Sequence, residues 1–195
     1  MQSTITLTLA SASPRRRELL SSLGLPFQVQ ESHVDEQIST DLAPETIVET
    51  LSLGKAQAVA GKVGSGLVIG SDTIVVLDGE VLGKPRDEAD ALRMLSSLQG
   101  EEHTVYTGVA VIDAGSGRTE LAHSATKVKM RPLTEREIRA YIATGEPMDK
   151  AGSYAIQGIG ATIVERIAGD YFTVVGLPLH LTSQLLSRFG VSVLK

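Results

Sequence analysis

The run LVIGSDTIVVL, from Leu67 to Leu77, restricts the fold of this chain more than any other segment. Its β-branched and mostly apolar residues predict a strand that is buried on both faces, as in sheets that helices cover on both sides. The dipeptide Asp78-Gly79 follows and predicts a tight hairpin into the segment EVLGKP. We therefore expect an α/β domain.

Helical and strand-like segments alternate along the rest of the chain. Helical spacing and helix-start signals predict helices at 14–23, 44–63, 87–98, 134–144 and 177–189. Strands are predicted in ITLTLA, FQVQES, HTVYTGVAVIDA and TELAHSATKVKM, whereas ATIVERIAGDYFTVVG predicts a strand, a turn and another strand. The predicted fold class is α/β, with a mixed twisted sheet flanked by helices.

Composition excludes several classes of function. The 195 residues, 42% of them hydrophobic, suit one domain over 1–195, and the net charge of -5 argues against nucleic-acid or membrane partners. The absence of cysteine excludes disulfides, thiolate catalysis and Cys-based zinc sites. The N-terminus lacks the features of a signal peptide, and no apolar run approaches the ~20 residues of a membrane span. A cytoplasmic location is expected.

The predicted first helix begins with an unusual concentration of positive charge. Ser13 and Pro14 are typical of the N-cap and first helical positions, and Arg15, Arg16 and Arg17 follow in the first turn. The helix dipole disfavours cations at this end, whereas a bound phosphate would reverse that preference. Either this turn binds an anion, or the three arginines are simply solvated.

Asp72 interrupts the apolar pattern of the 67–77 strand. A carboxylate at a buried position is costly unless it is paired or binds a metal, so Asp72 is a candidate base or metal ligand. The alternative is a structural aspartate that is satisfied by the hydroxyls of Ser71 and Thr73.

Other charged residues have two interpretations each. Lys55, on the second predicted helix, and Lys84, on a loop made rigid by the following proline, either bind phosphate or are surface lysines. Asp35 and Glu36 either hold Mg²⁺ or belong to a polar loop. The histidines show no metal-ligand spacing and are interpreted as structural or surface residues.

The glycine-rich stretch AGSYAIQGIGA, 151–161, either follows a tight path beside a ligand or connects parts of a twisted sheet. The amide of Gln157 within it offers both a donor and an acceptor, as recognition of a nucleobase edge requires.

In combination, the motifs LASASPRR, VDE, GKA, GSDTIVVLDGEVLGKP, TGVAV, EPMDKAGSYAIQG and DYFTVVGLP resemble those of the Maf family of nucleoside triphosphate pyrophosphatases. The likeness extends from about Leu9 to Leu186. It implies a fold similar to that of the inosine triphosphate pyrophosphatases, with two lobes around a cleft. It also implies hydrolysis of a nucleoside triphosphate to the monophosphate and pyrophosphate with a divalent cation, Mg²⁺ or Mn²⁺.

The resemblance also assigns roles to individual residues. The proton acceptor of the family corresponds to Asp72, and the metal would be held by Glu36 and Asp72. Positions that determine specificity correspond to Arg15, Thr73 and Gln157. The remaining residues expected to line the site are Ser11, Arg16, Lys55 and Lys84.

The motifs SDT and IQG resemble the branch of the family that acts on dTTP and UTP, whereas the branch acting on 7-methyl-GTP typically has SEG in place of IQG. Modified pyrimidine triphosphates would fit the same groups, in a house-cleaning role. The alternatives are the 7-methyl-GTP branch and a non-catalytic nucleotide-binding regulator of cell division. A homodimer is expected because relatives often form dimers.

Overall fold

The computed structural model describes residues 5–34 and 42–194. Its strands are β1 (Leu7–Leu9), β2 (Phe27–Val29), β3 (Leu67–Leu77), β4 (Glu80–Leu82), β5 (Glu102–Asp113), β6 (Thr119–Met130) and β7 (Val164–Ala168). Its α-helices are α1 (Pro14–Ser22), α2 (Pro44–Val63), α3 (Glu88–Leu98), α4 (Glu135–Ile142), α5 (Tyr171–Val175) and α6 (Leu179–Ser187). Short 3₁₀ turns span Glu146–Asp149, Ala151–Ser153 and Gly158–Thr162.

Within the described residues, seven strands form one mixed sheet in the order β2-β1-β3-β5-β6-β7, and β4 pairs with β3. Strand β1 runs parallel to β2 and β3, whereas the pairs β3–β4 and β6–β7 are antiparallel. These pairings confirm the α/β class and the mixed sheet. None of the helices described is both long and apolar enough to cross a membrane.

The chain divides into two compact units. The first unit comprises Met1–Asp72, Thr107–Ser124 and Gly176–Lys195, and the second comprises Thr73–Tyr106 and Ala125–Val175. Aliphatic residues of α2, β3 and β5 form a core in the first unit, and those of α3, α4, β5 and β6 form a core in the second. The interpretation of 1–195 as one domain remains a prediction.

Local signals in the sequence account for the helix boundaries. Helix α2 has the predicted bounds and ends at Gly64, whose left-handed backbone (φ 71°) suits glycine. At the start of α4, Thr134 and Glu137 form the predicted capping box: each side chain accepts a hydrogen bond from the backbone N–H of the other. Ser13 caps α1 as predicted.

The second strand predicted within the segment 161–176 is wrong, because Tyr171–Val175 is helix α5. Asp170 starts this helix: its Oδ2 accepts hydrogen bonds from the backbone N–H and the hydroxyl of Thr173, both at 2.8 Å. This N-terminal cap outweighs the β-propensity of the residues that follow it.

Two glycines let α2 lie directly against the sheet in the first unit. A Cβ atom at Gly70, on β3, would lie 2.2 Å from the carbonyl oxygen of Ser52. A Cβ atom at Gly108, on β5, would lie 2.3 Å from the carbonyl oxygen of Val48. Only residues without a side chain permit this contact, which brings the backbone of α2 close to β3.

Candidate active site

The close packing of α2 on β3 brings Lys55 and Asp72 together. Lys55 lies one turn beyond Ser52 on α2, and Asp72 lies two residues beyond Gly70 on β3. The Nζ of Lys55 is 2.5 Å from Oδ1 of Asp72, and the two residues are only 8% and 7% exposed. Lys55 is therefore not a surface lysine, and the buried carboxylate is compensated by a charge rather than by hydroxyls alone.

Ser71, beside Asp72, connects three segments of the first unit. Its hydroxyl is within hydrogen-bond distance of the carbonyl oxygens of Gly108, at 2.9 Å, and Gly176, at 3.1 Å. The Nε of Arg16 donates to the same Gly176 oxygen at 2.8 Å. Arg16 thus donates to Gly176, in the loop between α5 and α6, and this residue also contacts the strand that carries Asp72.

The start of α1 has the features of an anion site. The Oγ of Ser13 accepts a hydrogen bond from the N–H of Arg16, and the Oγ of Ser11 accepts one from the N–H of Ser13. Arg15 and Arg16 are half-buried, whereas Arg17 is exposed, and the first turn contains no acidic residue. Positive side chains and the positive end of the dipole are therefore concentrated at one helix end.

The second unit contains the other described candidates, Thr73, Lys84 and Gln157. Thr73 follows Asp72 on β3 and is half-buried. Lys84 is exposed on the loop after β4. Gln157 is half-buried, with extended backbone (φ -96°, ψ 169°), and immediately precedes a 3₁₀ turn.

The acidic pair predicted to hold a metal, Asp35 and Glu36, lies outside the described residues. In the part of the chain that the structure describes, no three His, Asp or Glu side chains form a metal-binding cluster. There, the hydrogen bond to the Asp72 side chain comes from Lys55 and goes to Oδ1, so Oδ2 can serve as an oxygen ligand. Mg²⁺ is commonly held by one or two carboxylates together with substrate phosphates, so Asp72 fits such a site.

Comparison with known proteins identifies the family of this chain. The family described as Maf-like protein matches residues 6–189, nearly the whole sequence. The chain belongs to the Maf family. This membership confirms the resemblance seen in the motifs.

Individual Maf relatives carry a more specific name. A protein of Moorella thermoacetica named dTTP/UTP pyrophosphatase is 57% identical over 187 residues, which are 96% of each chain. Proteins of the same name from Pelotomaculum thermopropionicum and Gloeobacter violaceus are 53% and 51% identical. The first of these alignments covers 96% of this chain and 98% of the relative, and the second covers 95% and 97%.

A solved structure shares the fold. The Ham1 protein of Staphylococcus aureus superposes with a TM-score of 0.50 and 15% sequence identity, over 82% of this chain and 79% of that one. This likeness concerns the fold alone and agrees with the α/β class predicted for this Maf chain.

The sequence did not predict three residues that contact candidate residues or their backbone. In the first unit this is Ser71, which shares an acceptor with Arg16, and in the second unit they are Tyr141 and Glu146. The side chains of Tyr141 and Glu146 bind backbone amides of the segment that carries Gln157. Their partners are main-chain groups, which no pattern of residue types reveals. The glycines of the 151–161 segment were the one available signal that its backbone passes close to other atoms.

Proposed function

We propose that this protein hydrolyses dTTP and UTP to the corresponding monophosphate and pyrophosphate. The observation that carries the proposal is the buried Lys55–Asp72 pair, in a chain that is 47–57% identical to proteins named dTTP/UTP pyrophosphatase. A carboxylate that a buried cation fixes in position can orient the attacking water and accept its proton. The 7-methyl-GTP alternative and a purely regulatory role have no comparable support.

In the proposed reaction, water attacks the α-phosphorus. A bond forms between the water oxygen and the α-phosphorus, and the bond from that phosphorus to the bridging oxygen of pyrophosphate breaks. Asp72 accepts the proton of the water, and pyrophosphate leaves with the electron pair of the broken bond. Lys55 holds the carboxylate in place and supplies positive charge where negative charge develops.

The start of α1 is proposed to bind the triphosphate, which carries about four negative charges at neutral pH. The side chains of Arg15 and Arg16 and the positive end of the α1 dipole are suited to phosphate oxygens. Ser11 and Lys84 are proposed to contribute further polar contacts. This role explains why the helix begins with residues that its dipole disfavours.

A divalent cation, Mg²⁺ or Mn²⁺, belongs to this proposal. Asp72 would supply one oxygen ligand, and Glu36 is the second proposed ligand. When bound, the cation would neutralise phosphate charge and favour formation of the attacking hydroxide. The residues of the chain would position the phosphates and the carboxylate around it.

Thr73 and Gln157 are proposed to recognise the pyrimidine base, and Arg15 contributes to the same specificity in the family pattern. The amide of Gln157 can donate to one ring position and accept from its neighbour, as an edge with adjacent carbonyl and N–H groups requires. Modified pyrimidine triphosphates present the same edge and are therefore proposed as further substrates. A cytoplasmic location and a homodimeric assembly complete the proposal.

The experiment that tests the function is pyrophosphate release from a panel of canonical and modified nucleoside triphosphates, with Mg²⁺, Mn²⁺ or EDTA. We expect metal-dependent release from dTTP and UTP, and loss of release in Asp72→Asn. Arg17→Gln, which changes an exposed arginine of α1, is the control variant. Nucleotide binding without release from any member of the panel would instead indicate a regulator, and full activity of Asp72→Asn would disprove the role of Asp72.

A further inference from the structure

Two side chains of the second unit bind the backbone on both sides of Gln157. On the C-terminal side, Glu146 accepts hydrogen bonds from the N–H groups of Ile159, at 3.0 Å, and Gly160, at 2.8 Å. On the N-terminal side, the hydroxyl of Tyr141 accepts a hydrogen bond from the N–H of Ala155 at 3.1 Å.

These two side chains also contact each other. The hydroxyl of Tyr141 donates to Oε1 of Glu146 at 2.7 Å. The Tyr141 hydroxyl thus accepts from a backbone amide and donates to Glu146, while Glu146 accepts from two further amides. The two side chains form one connected hydrogen-bond network. We call Tyr141 and Glu146 the brace.

Two glycines of the segment lie directly against the brace. A Cβ atom at Gly158 would lie 2.6 Å from Oε2 of Glu146. At Gly160 it would lie 2.6 Å from the Tyr141 hydroxyl and 2.1 Å from the carbonyl oxygen of Ala155. Glycine at 158 and 160 is thus explained by the close approach of these positions to the brace, which a larger residue would prevent.

The charge of Glu146 suits its role as an acceptor. Burial raises the pKa of its carboxyl, but hydrogen bonds from Tyr141, Gly160 and Ile159 outweigh this effect and leave the pKa below its ordinary value. The nearby ammonium of Lys150 acts in the same direction. The carboxylate is therefore ionised at neutral pH and accepts from all three donors.

We propose that Tyr141 and Glu146 are positioning residues that fix the backbone around Gln157 and thereby determine selectivity for the pyrimidine base. The inference rests on the proposed function, in which Gln157 contacts the base. The amides that the brace binds lie two residues before Gln157 and two and three residues after it. The backbone from which the Gln157 side chain extends is consequently held at both ends.

This arrangement matters because recognition by an amide depends on direction. A side-chain amide discriminates between base edges only when its donor and acceptor are held in register with the ring. If this backbone were less firmly held, the Gln157 amide could rotate and bind base edges that have the opposite arrangement of donor and acceptor. Loss of the brace should therefore affect selectivity more than the rate of the chemical step.

The test uses two variants that preserve side-chain shape, Tyr141→Phe and Glu146→Gln, in the full chain. For each, kcat and KM are measured with UTP, dTTP and CTP, since CTP presents the opposite pattern at its ring edge. We expect KM for UTP and dTTP to rise about 3- to 10-fold, the range of one lost hydrogen bond, with kcat nearly unchanged. The preference for UTP over CTP should fall by a similar factor.

Matched controls separate this effect from a general loss of structure. Glu135→Gln removes an exposed carboxylate of α4 that pairs with Arg139, and Tyr171→Phe removes an exposed hydroxyl. Both control variants should retain the wild-type preference for UTP over CTP. A variant that is merely less stable would lose activity toward all three nucleotides equally, whereas loss of positioning changes their ratio.

Amide hydrogen exchange without nucleotide gives a readout that is independent of activity. In both brace variants, exchange at residues 155–160 should accelerate while exchange in β5 and β6 stays unchanged. The inference would be overturned if the wild type is active and both brace variants keep its preference for UTP over CTP and its slow amide exchange at residues 155–160. A wild type that releases no pyrophosphate would instead overturn the proposed function, and the exchange data alone would then decide whether the brace holds the segment.

Discussion

Arg16 and Ser71 share one hydrogen-bond acceptor, the carbonyl oxygen of Gly176. Arg16 belongs to the proposed triphosphate site, and Ser71 immediately precedes the proposed catalytic carboxylate. A single main-chain oxygen therefore links the residue that would bind phosphate to the strand that would supply the base.

This link predicts the effect of Ser71→Ala. The variant removes a buried donor to Gly108 and Gly176, so we expect the free energy of unfolding to fall by about 1–2 kcal/mol. KM for dTTP should rise because Arg16 is less firmly held. Ser187→Ala is the control, since it removes an exposed hydroxyl that donates to a carbonyl of its own helix. Equal behaviour of the two variants would contradict the link.

The Lys55–Asp72 pair predicts strong energetic coupling. Lys55→Met and Asp72→Asn each leave the other partner buried without its counter-charge in the pair, at an expected cost of about 3–5 kcal/mol. In the double variant, the loss in free energy of unfolding should be smaller than the sum of the two single losses by at least ~1 kcal/mol. A double-mutant cycle measured by urea denaturation gives this difference. All three variants should lose pyrophosphate release. Additive losses would show that the two side chains do not interact in solution.

The contact between Gly70 and α2 predicts that a single methyl group is harmful there. Gly70→Ala would place Cβ against the backbone of α2, so we expect destabilisation of about 3 kcal/mol together with loss of activity. The control is Gly61→Ala, because a Cβ atom there would meet nothing within 4 Å. Its better helix propensity should stabilise the protein by about 0.5–1 kcal/mol. Thermal unfolding of both variants checks the contrast.

Because His103 is buried, we expect the protein to lose stability in mild acid. The residue is buried, with Nε2 2.6 Å from the Tyr154 hydroxyl. Burial lowers its pKa to about 4, although the charge of Glu102 opposes this shift. Between about pH 6.5 and 4 the unfolded chain binds a proton that the folded chain does not. The free energy of unfolding is therefore not reduced by His103 above about pH 6.5. It falls as the pH drops from about 6.5 toward 4, because protons bind preferentially to the unfolded chain.

The measurement compares wild type with His103→Gln, which does not titrate in this range. Urea unfolding at pH 7 and pH 4.5 should show that the wild type loses about 2–3 kcal/mol more than the variant over this interval. Carboxylates titrate in both proteins, so their contribution cancels in the comparison. Parallel losses would mean that His103 is not the group responsible.

Elements with strong local signals were predictable from the sequence. The capping box of α4, the hairpin at Asp78-Gly79 and the buried strand β3 all depend on residues close together in the chain. Helix α5 was not predictable from propensity alone, because its β-branched residues favour a strand and the helix depends on the cap supplied by Asp170. That cap was visible in the sequence, as an aspartate three residues before a threonine.

The candidate site was predictable as a set of residues but not as a set of contacts. The sequence indicated that Asp72 needs a partner and that Lys55 is a candidate cation. That they pair depends on how closely α2 approaches β3, which Gly70 and Gly108 determine. The brace was harder still to predict, because its hydrogen bonds to the segment around Gln157 end on main-chain amides.

The pairing of Lys55 with Asp72 also bears on how quickly a nucleotide arrives. The whole chain has a net charge of -5, so its average field repels a triphosphate. Because the Lys55 ammonium offsets the Asp72 carboxylate, this pair adds little net charge, whereas the three arginines at the start of α1 add positive charge. If these arginines bind the triphosphate as proposed, its association rate constant should fall as ionic strength rises, because salt screens their attraction.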